Sequence, residues 1–125
     1  MIGSTLQRGR WGEGVAMRHL LHKHYRIVEK NWRMGRGELD IVARDGDVTV
    51  FVEVKTRSRD DRIGAYGAAR QPRKKKMLLQ TGEAYVQKYS DSICTYRWDV
   101  IEILTPRNTN QADAIYHFEN VSIAS

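Results

Sequence analysis

The sequence predicts a single α/β domain with a mixed β-sheet flanked by helices, in the order α-β-β-β-α-β and with a further edge strand at the C-terminus. Two segments carry apolar residues at helical spacing, and several others alternate apolar and polar residues as strands do. An Asp-Gly pair separates two of the alternating segments, which is a strong hairpin signal. A length of 125 residues suits one compact domain with its own core. We therefore expect one domain over residues 1–125, with frayed ends at residues 1–8 and 119–125.

The first half of the chain is predicted to form a helix and three strands. Ala16, Met17 and Leu20 follow helical spacing, and the segments after them alternate. The expected helix, first strand and two hairpin strands span residues 9–23, 25–32, 38–44 and 48–56.

The second half is predicted to form a helix and two strands. Pro72 suits the first turn of a helix, and Lys74 falls on the same face as Leu78. The expected order is a loop rich in arginine and glycine, a helix, a strand, a polar loop and an edge strand, at residues 57–71, 72–89, 95–104, 105–110 and 115–123. Arg97 and Asp99 share one side of their strand, so we expect an ion pair between them.

Charge is unevenly distributed along the chain. Residues 1–76 contain 18 Lys/Arg and 9 Asp/Glu, whereas residues 77–125 contain 3 and 6, and the net charge is +6. A basic half that also carries clustered carboxylates is typical of a metal-dependent enzyme that acts on a polyanion. A generally basic protein with no such activity is the plainer interpretation of the charge alone.

The single cysteine excludes an intramolecular disulfide framework and fits a reducing cytosol. Cys94 precedes a predicted strand, so we expect it to be a small buried hydrophobe. No apolar run approaches the roughly 18 residues of a membrane span, and the N-terminus lacks a signal-peptide pattern. These features predict a cytoplasmic protein.

The hairpin turn decides which charged residues meet. With Asp45-Gly46 at its centre, Glu38 would face Glu53 and Asp40 would face Phe51. Because residues opposite each other, or two apart on a strand, lie on one side of a sheet, four charged residues would share a face: Glu38, Asp40, Glu53 and Lys55.

Three carboxylates and an ammonium on one face indicate a divalent-metal site, because like charges so close repel unless a cation lies among them. The alternative is a buried ion network in which Lys55 and Lys74 balance the acids. Glu13 projects from the core-facing side of the first helix and could join the site. It could instead serve only as a partner of the helix dipole.

The four histidines carry less information. Three of them lie in one basic stretch without a fitting cysteine or carboxylate partner. We expect all four to face solvent or a phosphate, with no zinc site: His19, His22, His24 and His117.

The order of elements, with Asp on the second strand and Glu-x-Lys on the third, resembles the PD-(D/E)XK nuclease superfamily. Over residues 9–104 the chain resembles the YraN family of uncharacterised bacterial proteins. The motifs that carry this resemblance are Gly12-Glu13, Asn31, Gly37-Glu38-Leu39-Asp40, Phe51-Val52-Glu53-Val54-Lys55-Thr56-Arg57, Lys74 and Arg97-Trp98-Asp99-Val100. The resemblance implies a restriction-endonuclease-like core, similar in fold to archaeal Holliday junction resolvases. Leu39 stands where the superfamily has proline.

The resemblance also implies roles for particular residues. Asp40 and Glu53 would be metal-binding carboxylates, with the Val54 carbonyl as a third ligand and Glu13 as an additional acid. Lys55 would be catalytic, either stabilising the transition state as an ammonium or accepting a proton as a neutral amine. Glu38 would support the site from behind. Oxygen ligands of this kind suit Mg²⁺ or Mn²⁺.

The expected activity is metal-dependent hydrolysis of DNA phosphodiester bonds, including those of branched or repair intermediates. The expected nucleic-acid contacts are Arg57, Arg59, Arg62, Arg73, Lys74, Lys75 and Lys76. The alternative is a nucleic-acid-binding protein of the same fold without turnover, acting in a repair or recombination complex. An RNA nuclease is a third interpretation. The sequence leaves a homodimer open and identifies no base-reading element.

Overall fold

The computed structural model describes residues 5–58, 72–105 and 111–123, with side chains from residue 9 in the first range and residue 74 in the second. These ranges contain two helices and five strands. The helices are α1 (Thr5–His22) and α2 (Pro72–Lys88). The strands are β1 (Arg26–Met34), β2 (Gly37–Asp45), β3 (Val48–Ser58), β4 (Thr95–Thr105) and β5 (Ala114–Phe118). The α/β class and the order α-β-β-β-α-β with a C-terminal edge strand are therefore confirmed.

The strands form one mixed sheet in the order β1-β2-β3-β4-β5. Neighbouring strands are antiparallel except for β3 and β4, which run parallel from Val48↔Thr95 to Ser58↔Thr105. A parallel pair needs a crossover connection, and α2 lies in it. This arrangement is consistent with a restriction-endonuclease-like core.

The two helices cover opposite faces of the sheet, and each helix packs on its own cluster of apolar residues. The cluster on the α1 side includes Val15, Ala16, Leu20, Ile41, Ala43, Val50, Val52, Ile101 and Ile103. The cluster on the α2 side includes Leu39, Val42, Phe51, Leu78, Tyr85, Trp98 and Ile123. Helix α2 presents Leu78, Gly82 and Tyr85 to the sheet, which follows the helical spacing of the sequence.

The β2–β3 turn differs from its predicted position. Asp45 pairs with Val48, and Gly46 and Asp47 occupy the centre of the turn, where Gly46 has φ of 60°. The predicted Asp45-Gly46 centre is wrong, because Asp45 and Gly46 occupy the first and second of the four turn positions and the centre lies one residue later. The observed register is displaced by two residues from the predicted one, and a shift of two does not by itself move a side chain to the other face.

The pairing of strand β2 with both of its neighbouring strands is interrupted at Asp40. Its register pairs with β3 run from Asp45 to Ile41 and go no further, and those with β1 pass from Ile41 to Leu39 without a pair at Asp40. Leu39 and Ile41, two residues apart, consequently pack in different clusters. This is a correction, because strict alternation predicts that they share a face. Asn31, which lies across from Asp40 on β1, has a left-handed φ of 55° that interrupts the alternation.

Other differences are local. Cys94 is exposed, so the expectation of a buried hydrophobe is wrong; it lies just before β4 rather than within the sheet. Strand β3 continues through Arg57 and Ser58, and β5 ends at Phe118 instead of residue 123. Within the described ranges, neither helix has the length and apolarity needed to cross a lipid bilayer.

Candidate metal centre

Four elements meet at a cleft of about 270 Å³. Helix α1 contributes Glu13, β2 contributes Asp40, β3 contributes Glu53 and Lys55, and α2 contributes Lys74. Asp40, Glu53 and Lys55 therefore meet in one cleft, which is lined from both faces of the sheet because α1 and α2 lie on opposite faces. The structure also brings Glu13 and Lys74 to this cleft from elements that are distant in sequence.

Close packing of α1 on β3 places Glu13 at the cleft. Gly12 is buried, and a Cβ there would clash with Thr56 Oγ1. The absence of a side chain thus lets the helix approach the strand directly beside Glu13. Glu13 is half-buried and faces the cleft, as expected from its core-facing position.

The end of the β2–β3 pairing creates a polar contact between the strands. Asp40 Oδ2 accepts a hydrogen bond of 2.9 Å from the backbone N–H of Val54. The carboxylate thus replaces the backbone acceptor that a continuing ladder would supply. In a strand, the N–H and C=O of one residue point to the same edge, so the Val54 carbonyl is also on the Asp40 side.

Burial makes the carboxylates of the cleft costly to ionise. Burial raises the pKa of Asp40 well above its ordinary value, and the neighbouring Glu53 carboxylate adds to the rise against the Val54 hydrogen bond. Burial also raises the pKa of Glu53, although Lys74 opposes the rise. For both acids the effect of burial thus outweighs the positive charge that reaches them.

The two lysines of the cleft respond differently to it. Lys74 Nζ lies 3.2 Å from Glu53 Oε1. Burial alone would lower the pKa of Lys74, but the charge and hydrogen bond of Glu53 outweigh it and raise the pKa. Burial lowers the pKa of Lys55, and the Lys74 ammonium lowers it further against the attraction of Glu53. Of these two lysines, Lys55 therefore loses its proton more readily.

Polar partners on β1 hold two further acids. Asn31 Nδ2 donates to Glu13 Oε1 at 2.9 Å, and Arg33 Nε donates to Glu38 Oε2 at 2.8 Å. Carboxylate oxygens of Glu13, Glu38 and Asp40 lie within 4.8 Å of one another. Glu38 therefore belongs to the acidic cluster itself, and Arg33 donates a hydrogen bond to its carboxylate.

These residues fit a hard divalent cation. The donors are carboxylate oxygens and a backbone carbonyl, the set that Mg²⁺ and Mn²⁺ prefer. Burial first, and nearby carboxylates second, raise the pKa of Asp40 and Glu53, and a bound cation would favour the ionised form of both. Asp40 has one carboxylate oxygen bonded to Val54 and offers the other.

The expected nucleic-acid contacts have mixed positions. Lys74 lies in the cleft, Lys75 is half-buried and Lys76 is exposed. Arg57 is only 12% exposed, and its Nε lies 3.5 Å from Glu102 Oε2, so this guanidinium is turned toward a protein carboxylate. Three of the predictions lie outside the described residues or side chains: Arg59, Arg62 and Arg73.

A second polar cluster lies on the α1 side of the sheet, and sequence reasoning predicted only its Arg97–Asp99 pair. Asp99 is fully buried and accepts hydrogen bonds from Arg97 Nε at 3.0 Å and from the Asn120 backbone N–H at 2.9 Å. His117 Nε2 lies 2.8 Å from Asp99 Oδ2, and Lys23 Nζ lies 3.0 Å from His117 Nδ1.

The Arg97–Asp99 pair confirms the predicted ion pair, but the expectation that His117 faces solvent or phosphate is wrong. Its side chain is 4% exposed because β5 pairs with β4 and α1 covers it. Burial alone would raise the pKa of Asp99, but the hydrogen bonds from His117 and Arg97 lower it. With Arg97 and Lys23 already supplying positive charge, this cluster joins β5 to the core. The signal in the sequence that could have indicated this cluster is Asp99, an acid among the apolar residues on one face of its strand.

Comparison with known proteins identifies relatives over most of the chain. Residues 12–103 match the model of a family described as Uncharacterised protein family UPF0102. A UPF0102 protein of Chlorobaculum parvum is 34% identical over 116 residues, which cover 93% of this chain and 89% of the relative. One of Chlorobaculum tepidum is 35% identical over the same coverage, and one of Syntrophus aciditrophicus is 40% identical over 99 residues, or 79% and 77% of the two chains.

Proposed function

The chain belongs to the uncharacterised protein family UPF0102, which is the YraN family, and from this membership and the cleft we propose that it is a metal-dependent endonuclease acting on DNA. The observation that carries the proposal is the meeting of Asp40, Glu53 and Lys55 in one cleft. This is the arrangement of charged groups that the superfamily resemblance implies.

Several groups of the cleft are suited to hold a divalent cation. Asp40, Glu53, the Val54 carbonyl and Glu13 would hold Mg²⁺ or Mn²⁺. A divalent cation held there would offset negative charge on the phosphoryl oxygens and acidify a water for in-line attack. The Val54 N–H fixes one oxygen of Asp40, so the carboxylate is oriented before any ligand arrives.

Lys55 supplies the remaining chemistry of the cleft. As an ammonium, its Nζ would donate a hydrogen bond to a phosphoryl oxygen whose negative charge grows in the transition state. As a neutral amine, it would accept the proton of the attacking water. The lowered pKa of Lys55 favours the second role relative to an exposed lysine.

Basic residues beside the cleft support a polyanionic substrate. Arg10 is exposed and follows Gly9, which lines the cleft; Lys76 is exposed and lies in the first turns of α2 with Lys74. Cations around a pocket of carboxylates attract phosphates while the pocket itself repels them in the absence of a metal.

One observation favours the alternative of a nucleic-acid-binding protein without turnover. The Lys74 ammonium already contacts Glu53, so the protein can compensate that carboxylate without a metal. In this alternative the cleft is a buried ion network and the basic surface alone carries the function.

The test is cleavage of a panel of substrates by purified protein with and without Mg²⁺. The panel contains duplex, flap and four-way-junction DNA and a matched RNA. We expect metal-dependent cleavage of DNA that falls by about 10²-fold or more in Asp40→Asn and in Lys55→Ala. Binding of DNA, measured by fluorescence anisotropy, should persist in both variants.

Asp91→Asn is the matched control, because Asp91 is exposed and lies outside the cleft. Cleavage that persists equally in all three variants would identify a contaminant and overturn the proposal. Binding without any cleavage would support the alternative, and cleavage of RNA alone would transfer the proposal to RNA.

A further inference from the structure

We propose that Asn31 is a positioning residue that holds the Glu13 carboxylate in the cleft. The inference rests on the proposed function in that it gives Glu13 a place at the metal. It concerns a residue on β1, a strand that contributes no side chain to the lining of the cleft among the described residues.

The contact is direct and specific. Asn31 Nδ2 lies 2.9 Å from Glu13 Oε1 and joins β1 to α1 across 18 residues of sequence. A carboxylate can only accept hydrogen bonds, so the amide nitrogen of Asn31 faces it. The bond engages one oxygen of Glu13 and leaves the other available.

The backbone of Asn31 is adapted to this contact. Its φ of 55° lies in the left-handed region, which asparagine tolerates better than most residues with a Cβ. Asn31 also lies across from Asp40, at the point where the register pairs between β1 and β2 are interrupted. One irregularity therefore removes Asp40 from the ladder and releases the Asn31 side chain from the ordinary alternation of its strand.

The electrostatics of the cleft explain why Glu13 needs such a partner. Its carboxylate lies within 4.8 Å of those of Glu38 and Asp40, and like charges at this separation repel. A glutamate side chain has several rotatable bonds and would turn toward solvent without a donor to hold it. The Asn31 amide opposes this movement without adding a charge that would compete with a metal.

A purely structural bond between α1 and β1 is the alternative role for the same contact. It would affect stability alone, whereas a positioning role affects where Glu13 lies and how tightly the cleft binds a cation. Outer partners of metal ligands typically change metal affinity by about 10–100-fold.

The experiment compares Asn31→Gly with Asn120→Gly. Glycine accepts the left-handed φ at both positions, and Asn120, with φ of 54°, has its backbone N–H on Asp99 and lies outside the cleft. The readouts are crystal structures and Mn²⁺ affinity by isothermal titration calorimetry. We expect the Glu13 carboxylate to leave its place in Asn31→Gly and the Mn²⁺ affinity to fall about 10-fold, with no change in Asn120→Gly.

A double-mutant cycle with Glu13→Gln isolates the contact. In the Glu13→Gln background, Asn31→Gly should have no further effect on Mn²⁺ affinity. If Asn31→Gly does not fold, Asn31→Asp keeps the shape and the tolerance of positive φ, but it replaces the donor by a carboxylate that repels Glu13. Glu13 should be displaced in that variant too.

An undisplaced Glu13 in the variant structures overturns the inference, and so does an equal loss of affinity in the presence and absence of Glu13. A wild-type protein that binds no Mn²⁺ would instead remove the proposed function. In that event the crystal structures alone would decide whether Asn31 positions Glu13.

Discussion

Lys74 Nζ lies 3.2 Å from Glu53 Oε1, so a cation from α2 already contacts a carboxylate that the proposed function assigns to a metal. The pair is unequal in its surroundings, because the Lys74 side chain is 38% exposed and that of Glu53 is 4% exposed. Removing the lysine would leave a buried carboxylate without its nearest positive charge. The lysine and a divalent cation would thus compete for the same acid.

Lys74→Met should lower the free energy of unfolding by about 1–2 kcal/mol at pH 7, less than for a fully buried pair because Lys74 is partly solvated. Mn²⁺ should raise the melting temperature of this variant by more than it raises that of the wild type, because the competing ammonium is gone. Unfolding followed by circular dichroism in EDTA and in Mn²⁺ measures both effects. Lys76→Met, at an exposed position on the same helix, is the control and should match the wild type.

Asp40→Asn should stabilise the metal-free protein at neutral pH. The pKa of Asp40 is raised in the folded state, so its contribution to stability is present below the unfolded value near 4 and is lost as the pH rises through the folded value. Asparagine keeps a side-chain oxygen that accepts the hydrogen bond from the Val54 N–H. It has no negative charge whose burial would cost free energy. We expect the melting temperature to rise by a few degrees at pH 7.5, with no gain at pH 3.5. A variant less stable than the wild type at both pH values would contradict this.

Asp99→Asn should have the opposite sign. The pKa of Asp99 is lowered by His117 and Arg97, so its contribution is present above the unfolded value near 4 and is lost as the pH falls through the folded value. Removing the charge leaves Arg97 without its closest partner, and we expect a loss of about 2–4 kcal/mol at pH 7. Urea unfolding at a series of pH values should show the gap to the wild type closing as the pH falls below the ordinary aspartate value near 4. A gap that is constant with pH would show that the charge of Asp99 is immaterial.

Gly12→Ala should destabilise the fold by about 1–3 kcal/mol, because its Cβ would clash with Thr56 Oγ1. Thr56→Ala removes that oxygen, so the double variant should recover most of the loss in a double-mutant cycle. Gly14→Ala lies in the same helix, and its Cβ would meet only an Arg18 atom at 3.8 Å. This control should be neutral or stabilising by up to about 1 kcal/mol. An equal loss for both alanines would indicate a general response of the helix.

Sequence reasoning predicted the order of helices and strands and brought Asp40, Glu53 and Lys55 together, because both inferences depend on periodicity. The hairpin register is displaced by two residues from the predicted one, which does not by itself change side-chain direction, and Asp40 and Glu53 line the same cleft. The same reasoning placed Lys74 on the inner face of α2, where it meets Glu53.

The remaining features depend on contacts that no local pattern encodes. The left-handed Asn31 and the resulting separation of Leu39 from Ile41 arise where three strands meet. The burial of His117 depends on the pairing of β5 with β4 beneath α1. The exposure of Cys94 depends on the residue at which β4 begins. Strand alternation locates the candidate site, but it does not identify the hydrogen bonds that shape it.

The parallel pairing of Val48–Ser58 with Thr95–Thr105 has a consequence for how the molecule assembles. It joins strands separated by more than thirty residues, whereas β1, β2 and β3 are connected by short turns and close with less loss of chain entropy. We therefore expect the meander bearing Asp40 and Glu53 to form early and Lys74 to arrive with the slower crossover. During folding, Asp40 and Glu53 would therefore come together before Lys74 reaches Glu53, and the proposed divalent cation would meet no competing ammonium at that stage.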